Sequence, residues 1–458
     1  MASVLDELRQ TLGDEVVSVD GMVLDRHDRD ATGIAPHRPL AVLRPRNTAE
    51  VSTALRICNR HRQPVLPQGG LTGLAGGATP KGGEVVLSLE RMRGVEELDP
   101  AAATMTVLAG TPLEALQAAA SQAGFLLGLD LGARGSCQIG GNLSTNAGGM
   151  KVIRYGMARE QVLGLEAVLA DGTVVNALNK MLKNNAGYDV KHLFIGSEGT
   201  LGIVTRAVLR LHPKPRSLAT ALVATERYEK VVQLLRAVQA ELGGLSAFEA
   251  MWLDYYRFVT GSDPARVPPL PATSPFYVAL EFAGNDAEGD PVRFEAFLGK
   301  ALEQGLISDA VIAQSEREAR AIWEIREGVG AWNARPHGLH LDVSLPIASI
   351  GEFAERVRSR LQQRWPGSLN TFFGHIGDSN LHVSLDMGTG DEAVRHAVEL
   401  SVYEVVRDMG GSVSAEHGIG TLKRDYLGFS RSDAVVGLMR TLKAALDPNA
   451  ILNPGKVL

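Results

Sequence analysis

Two short segments carry side chains able to do chemistry together. His375 and His382 bracket HIGDSNLH, and Glu416 and His417 adjoin in SAEHGIG. Gly374, Gly377, Ser379 and Asn380 disfavour a helix around the histidines. The apolar text on either side, TFF before and LHVSL after, predicts strand, tight turn, strand. Such a hairpin brings both imidazoles to one end. Two imidazoles and a carboxylate form a ligand set for Zn2+ or another divalent ion with one position open. Three unrelated residues at strand ends satisfy the same text. His417 follows Glu416 after a further short strand and points the opposite way if the segment is extended. That suits a general base beside the metal; a fourth ligand or a hydrogen-bonded structural histidine are the alternatives. Arg326 lies in WEIREGVGAW (323–332), an apolar helical segment. Its guanidinium suits a substrate carboxylate, or else it pairs with Glu324 or Glu327 or reaches to solvent.

Three glycine-rich loops must position a ligand for that chemistry. The central one, GARGSCQIGGNLSTNAGGMKVIRYG (132–156), carries Ser136, Asn142, Ser144, Thr145 and Asn146 among its glycines. Glycine lets backbone approach a flat or charged group and lets N–H groups converge. The first loop, QGGLTGLAGG (68–77), follows an apolar piece at 64–67 that reads as a strand. It forms a nest for a diphosphate, without the GKS or GKT ending of a Walker loop and without the GxGxxG fingerprint. The third, Gly196–Gly202, runs into a strand. Each loop hangs on a strand, as expected of an α+β domain built to hold a large polar cofactor.

The remaining elements follow from periodicity and punctuation. Residues 2–12 read as a helix and 40–45 as a strand. Thr48 is the expected N-cap of a helix buried through Val51, Ala54, Leu55 and Cys58. Strands are expected at 85–89 and 104–109, and Thr111-Pro112-Leu113-Glu114 reads as a capping box opening a helix at 112–123. Strands at 162–169 and 173–177 join in a hairpin at Asp171-Gly172. Pro213 and Pro215 punctuate a change to long helices. One helix is marked by Tyr228, Val231, Val232, Leu235, Val238 and Leu242. Phe276, Val278, Leu280 and Phe282 alternate as in a half-buried strand. The second domain is expected to be an antiparallel sheet covered by helices on one face. A last helix near 433–446 precedes ILNPGKVL, which is apolar enough to pack back on the first domain.

Composition narrows the class. The chain has 458 residues, 45% hydrophobic and 21% charged, and a net charge of −6. That length implies two or three domains, and the absence of a basic block argues against nucleic acid as a partner. Two cysteines, Cys58 and Cys137, provide neither a disulfide framework nor a metal site. No window approaches a membrane span, no leader is evident, and a cytoplasmic location is expected.

Taken in order, Gln68–Gly77, SCQIGGNLSTNAGG (136–149), GSEGTLGI (196–203), GHIGDSNLH (374–382), AEHGIG (415–420) and LNPGK (452–456) resemble the FAD-dependent D-2-hydroxy-acid dehydrogenases of the vanillyl-alcohol oxidase superfamily, which include enzymes for D-2-hydroxyglutarate and D-lactate. The resemblance spans nearly the whole chain. It implies an N-terminal segment (1–37), an FAD domain (38–217), a substrate and metal domain (218–425) and a C-terminal segment (426–458) that returns to the flavin. The cofactor contacts it implies are Pro67, Gln68, Gly69, Gly70, Leu71, Thr72, Gly73 and Leu74; Ser136, Gln138, Ile139, Gly140, Gly141, Asn142, Ser144, Thr145, Asn146 and Gly148; Tyr155 and Gly156; Glu198, Gly199, Gly202 and Ile203; and Asn453. No histidine lies in loop 68–77, so non-covalent FAD is expected. By the same resemblance His375, His382 and Glu416 match the family's metal ligands, usually zinc. His417 matches its base, Asn380 a substrate contact, and Arg326 the carboxylate anchor. Gly330 and His340 stand where hydroxyglutarate-type members carry threonine and lysine for a distal carboxylate; His340 or Arg335 would have to bind that group here. The implied reaction passes hydride from substrate C2 to flavin N5 and electrons on to electron-transfer flavoprotein or a quinone. An accessory flavin-binding subunit and an oxygen-using oxidase are the competing readings, and a homodimer is the default assembly.

Overall fold

A computed structural model of the chain describes residues 3–263, 266–328 and 330–458. The chain forms two compact units: one from residues up to Gly148 with Tyr155–Lys214 and Glu416–Leu458, the other from Gly149–Arg154 and Pro215–Ala415. The first boundary near the C-terminus falls at 415/416 rather than at 425. The reason is local: the N–H groups of Thr421 and Leu422 both donate to Ala75 O, at 2.9 and 3.1 Å.

Among the described residues the first unit holds, besides a two-stranded ribbon of Phe125–Leu126 with His212–Pro213, two larger sheets. In one, Val65–Gln68, Val85–Ser88 and Ala41–Leu43 run parallel, and Val17–Ser18 adds antiparallel at the edge. In the other, five antiparallel strands include the expected hairpin of Val162–Val168 with Val174–Ala177 and the strand Ile203–Arg210. Helix Thr48–His61 buries Val51, Ala54, Leu55 and Cys58 as the spacing predicts. Its cap is Asn47, not Thr48: the Asn47 side chain accepts from Glu50 N, whereas Thr48 Oγ1 donates to Glu166. The expected capping box at Thr111 does not form either. The Thr111 hydroxyl turns back to Leu108 O at 2.6 Å, and helix Leu113–Gln122 starts from Pro112 without a side-chain cap.

The central glycine stretch is not all loop. Ile139–Thr145 is a short helix whose Ile139 and Leu143 belong to the core. Gly140 is required there, since a Cβ would stand 2.7 Å from Ala109 Cβ. The tail returns to this unit as expected. Val65 N donates to Ile451 O (2.7 Å) and Asn453 N to Val65 O (2.8 Å), so the tail runs beside the strand that leads into the first glycine loop.

The second unit is built on seven antiparallel strands, ordered Asp309–Ile312, Ser217–Thr225, Phe276–Gly284, Leu245–Trp252, Leu369–His375, Asn380–Asp386, Gly338–Ser344. Helices cover both faces, not one. Tyr277 and Ala279 join a core with Tyr255 and Tyr256 of helix Leu253–Gly261 and with Ile322 and Ile325 of helix Glu316–Arg326. On the opposite face Phe282 stacks on Phe294 of helix Gly289–Glu303. Phe276–Gly284 is therefore buried on both sides, and its alternation marks two cores rather than core and solvent. The histidine hairpin forms as expected: Leu369–His375, a turn at Ile376–Asp378, then Asn380–Asp386, with Phe373 opposite His382.

Candidate active site and cofactor cleft

In the first unit the glycine loops converge on a cleft of about 370 Å3. Its walls include residues 67–74, Gln138, Gly140, Gly141, Asn142, Ser144, Thr145, Gly148, Glu198, Gly199, Gly202, Ile203 and Asn453, all expected from the sequence. Glu416 and His417 line the same cleft. Five expected cofactor residues lie elsewhere. Ile139 is in the core. Asn146 ends the short helix in a left-handed conformation (φ 50°), and its Oδ1 accepts from Arg159 N. The Tyr155 ring stands against His212 at 4.7 Å. Gly156 (φ 79°) faces Glu160, and Ser136 lends only its carbonyl, which closes on Gly70. Sequence reasoning missed the apolar side of the cleft, Leu89, Leu131, Cys137 and Val204. Single apolar residues in separate elements leave no local pattern.

The cleft fits a flavin dinucleotide. Gln138 Oε1, Asn142 Oδ1 and Asn453 Oδ1 are buried without a partner among the described residues, an arrangement that a polar ligand satisfies. Gly70 brings backbone against backbone, since a Cβ would lie 2.0 Å from Ser136 O. Leu71 holds φ at 59°, a cost that packing around a binding loop sustains. Gln68 is engaged within the protein: its Nε2 donates to His27 O and Ala78 O, and its Oε1 meets His27 Nδ1 at 2.6 Å. Its side chain thus fixes the loop.

In the second unit the histidine hairpin meets Arg326. The His375 and His382 rings stand 5.4 Å apart. Beside them Glu249 has no exposed surface. One oxygen accepts from His375 Nδ1 and the other from Arg326 Nε, each at 2.5 Å. Burial alone would raise the Glu249 carboxyl; His375 and Arg326 overcome this and hold it well below the usual carboxylate range. Arg326 is thus buried and paired with Glu249, not with Glu324 or Glu327. Tyr255 Oη donates to Arg326 O (2.8 Å), and the Phe373 ring lies 4.9 Å from the guanidinium carbon. Glu249, which the sequence reading passed over, orients a candidate ligand and a candidate anchor together. With Nδ1 committed to a carboxylate, Nε2 is the atom with which His375 would ligate a metal; it lies 3.2 Å from Arg326 Nη2, a contact that a bound ion would replace. The donor chemistry therefore fits a divalent ion.

Further along the hairpin, Asn380 is 3% exposed, and both of its amide atoms are buried without a partner among the described residues. Asp342, also missed, pairs opposite His382, and its carboxylate accepts from Ala415 N at 3.1 Å. His340 Nδ1 meets Ser384 Oγ at 2.9 Å. Arg335 is bound to Asp386 at 2.5 Å, which engages the side chain expected to substitute at a distal carboxylate.

Comparison with known proteins bears on the family and the fold. Residues 39–178 match the family described as FAD binding domain, and residues 214–457 the one described as FAD linked oxidases, C-terminal domain. Among solved structures, p-cresol methylhydroxylase superposes with a TM-score of 0.79 over 99% of this chain and 96% of its own, at 18% identity, a likeness of fold. The fold is that of the vanillyl-alcohol oxidase-type flavoproteins. At the level of sequence, a probable mitochondrial D-2-hydroxyglutarate dehydrogenase of Oryza sativa subsp. indica is 41% identical over 98% of this chain and 80% of its own length. The D-2-hydroxyglutarate dehydrogenase of Xanthomonas citri pv. viticola is 39% identical over 95% of this chain and 92% of its own. The chain belongs to the FAD-dependent D-2-hydroxy-acid dehydrogenase family of oxidoreductases. No helix among the described residues is long and apolar enough to cross a membrane.

Proposed function

We propose that the chain oxidises a D-2-hydroxy acid to the 2-oxo acid, with FAD in the cleft of the first unit and His375, His382 and Glu416 as ligands of a divalent metal, zinc by family resemblance. The observation that carries the reading is the buried Glu249 carboxylate, which orients His375 and Arg326 together. When bound, the flavin supplies a hydride acceptor and the metal a Lewis acid for the substrate hydroxyl. Arg326 offers a guanidinium to the substrate carboxylate. Asn380 offers an amide to the same substrate. His417 accepts the hydroxyl proton at an imidazole nitrogen. Fixing the carboxylate and the hydroxyl at separate points selects one face of C2, which supports D-selectivity. Electron-transfer flavoprotein or a quinone is the proposed acceptor.

The names of the relatives favour D-2-hydroxyglutarate as substrate. A smaller or more apolar acid such as D-lactate is favoured by Gly330, which has no side chain to donate, and by the Arg335–Asp386 pair. Rapid anaerobic mixing of the FAD-loaded protein with each acid tests the reaction and separates these substrates. The His417→Ala variant should retain FAD but reduce it about 100-fold to 10,000-fold more slowly. A wild-type rate in that variant removes His417 as the base.

A further inference from the structure

Glu198 stands in the third glycine loop, and its side chain does something other than hold a ligand. Its backbone takes a left-handed conformation (φ 52°) between Ser197 and Gly199, a region that L side chains enter at a cost. Both backbone groups are tied down: Glu198 N donates to Ser144 O at 2.8 Å, and Glu198 O accepts from Asn453 Nδ2 at 2.8 Å. The carboxylate then reaches the segment that follows His417. Oε1 accepts from Ile419 N at 2.7 Å and Oε2 from Gly420 N at 2.8 Å. Successive N–H groups of this kind form a nest for a carboxyl group, and here the chain supplies that group itself; burial pushes the Glu198 carboxyl up, and the Ile419 and Gly420 N–H groups pull against that shift. The approach is close enough to need glycine. At Gly418 (φ 81°) a Cβ would stand 2.8 Å from the carboxylate, and at Gly420 (φ 50°) 2.1 Å from Ala75 O. Both carboxyl oxygens are used in this way within the chain.

We propose that Glu198 is a positioning residue for His417, clamping the 418–420 backbone so that the imidazole is held at its working place in the cleft. The proposal rests on the reading of His417 as the base. Displacement of a reacting group by about 1 Å costs on the order of 100-fold in rate, which sets the size of the expected effect. Glutamine keeps the shape of Glu198 but turns an NH2 toward one of the two backbone N–H groups. Aspartate keeps the carboxyl group and shortens the reach.

A double-mutant cycle on the FAD-loaded protein tests this. Anaerobic flavin reduction by a D-2-hydroxy acid is measured for wild type, Glu198→Gln, His417→Ala and the double variant, with Glu198→Asp as a second clamp variant. Hydrogen exchange of the 418–421 amides is followed in parallel. Glu198→Gln should keep its flavin, slow reduction by about 10-fold to 100-fold, and speed exchange at Ile419 and Gly420. Added to His417→Ala it should cost nothing more, because it acts through that imidazole. A wild-type rate in Glu198→Gln, factors that multiply in the double variant, unchanged exchange, or loss of flavin in both Glu198 variants would each overturn the proposal. A fast His417→Ala single variant would instead remove the base assignment itself, and it is read without any change at Glu198.

Discussion

Glu249 is a carboxylate without solvent exposure that holds His375 and Arg326 at once. Taking away its charge has two separate consequences. Glu249→Gln unlocks the His375 tautomer, so metal affinity should fall about 10-fold to 100-fold, read by chelator competition; unchanged affinity would separate Glu249 from the metal. Glu249→Ala also leaves the Arg326 charge buried without its partner and should destabilise the fold by about 3–5 kcal/mol in denaturant titration. The two histidines and Arg326 were legible in the sequence because their types and spacing carry the chemistry. Glu249 was not, although it sits in LSAFEAMW, an apolar strand in which every residue is buried. A lone carboxylate in such a run signals a buried partner, but the partner lies far along the chain. The pairing of Arg335 with Asp386 was hidden for the same reason.

Elements were legible where one local force decides them. The His375–His382 hairpin follows from glycines between two apolar runs, and its turn places Ser379 in a left-handed conformation (φ 76°). Caps were less legible, because neighbouring polar side chains compete for the same amides. Asn47 takes the cap that Thr48 was expected to make. Asn47→Ala should therefore cost about 1 kcal/mol of stability, measured by thermal or urea melting, and a neutral result would contradict the observed cap. The glycine loops were legible as loops, and they converge on one cleft, but the helix within the central one was not legible, since glycine-rich text has low helix propensity and only packing of Ile139 and Leu143 rescues it. Gly70→Ala tests the first loop: with a Cβ 2.0 Å from Ser136 O, the loop must move, and the purified variant should lose FAD by absorbance. Full FAD content would show that the loop is not the cradle. Whether helices cover one or both faces of a sheet is a tertiary matter, and alternation in Phe276–Gly284 does not reveal it.

At the scale of the whole molecule, the C-terminal tail ties the first unit together. Lys456 Nζ donates to Gly76 O and Thr79 O, at 2.8 and 2.7 Å, and so braces the first glycine loop. Burial, aided by Lys81, lowers this ammonium from 10.5 to about 8. The folded state thus binds fewer protons than the unfolded one between those values, so stability should rise with pH across that window; below about 8 the burial penalty is fully present. Lys456→Met should flatten the rise in urea midpoint, and an unchanged slope would assign it elsewhere. The return of the tail was legible from the apolar character of ILNPGKVL, whereas its lysine brace, made to carbonyls of a distant loop, was not. The central claim, oxidation of a D-2-hydroxy acid by bound flavin with a metal at the substrate, has one direct test. The FAD-loaded protein is mixed anaerobically with matched D- and L-2-hydroxy acids, with and without a chelator, and flavin absorbance is followed. Bleaching by a D-acid only, abolished by the chelator and restored by added zinc, is the predicted result; bleaching by neither isomer, or by both regardless of metal, would contradict it.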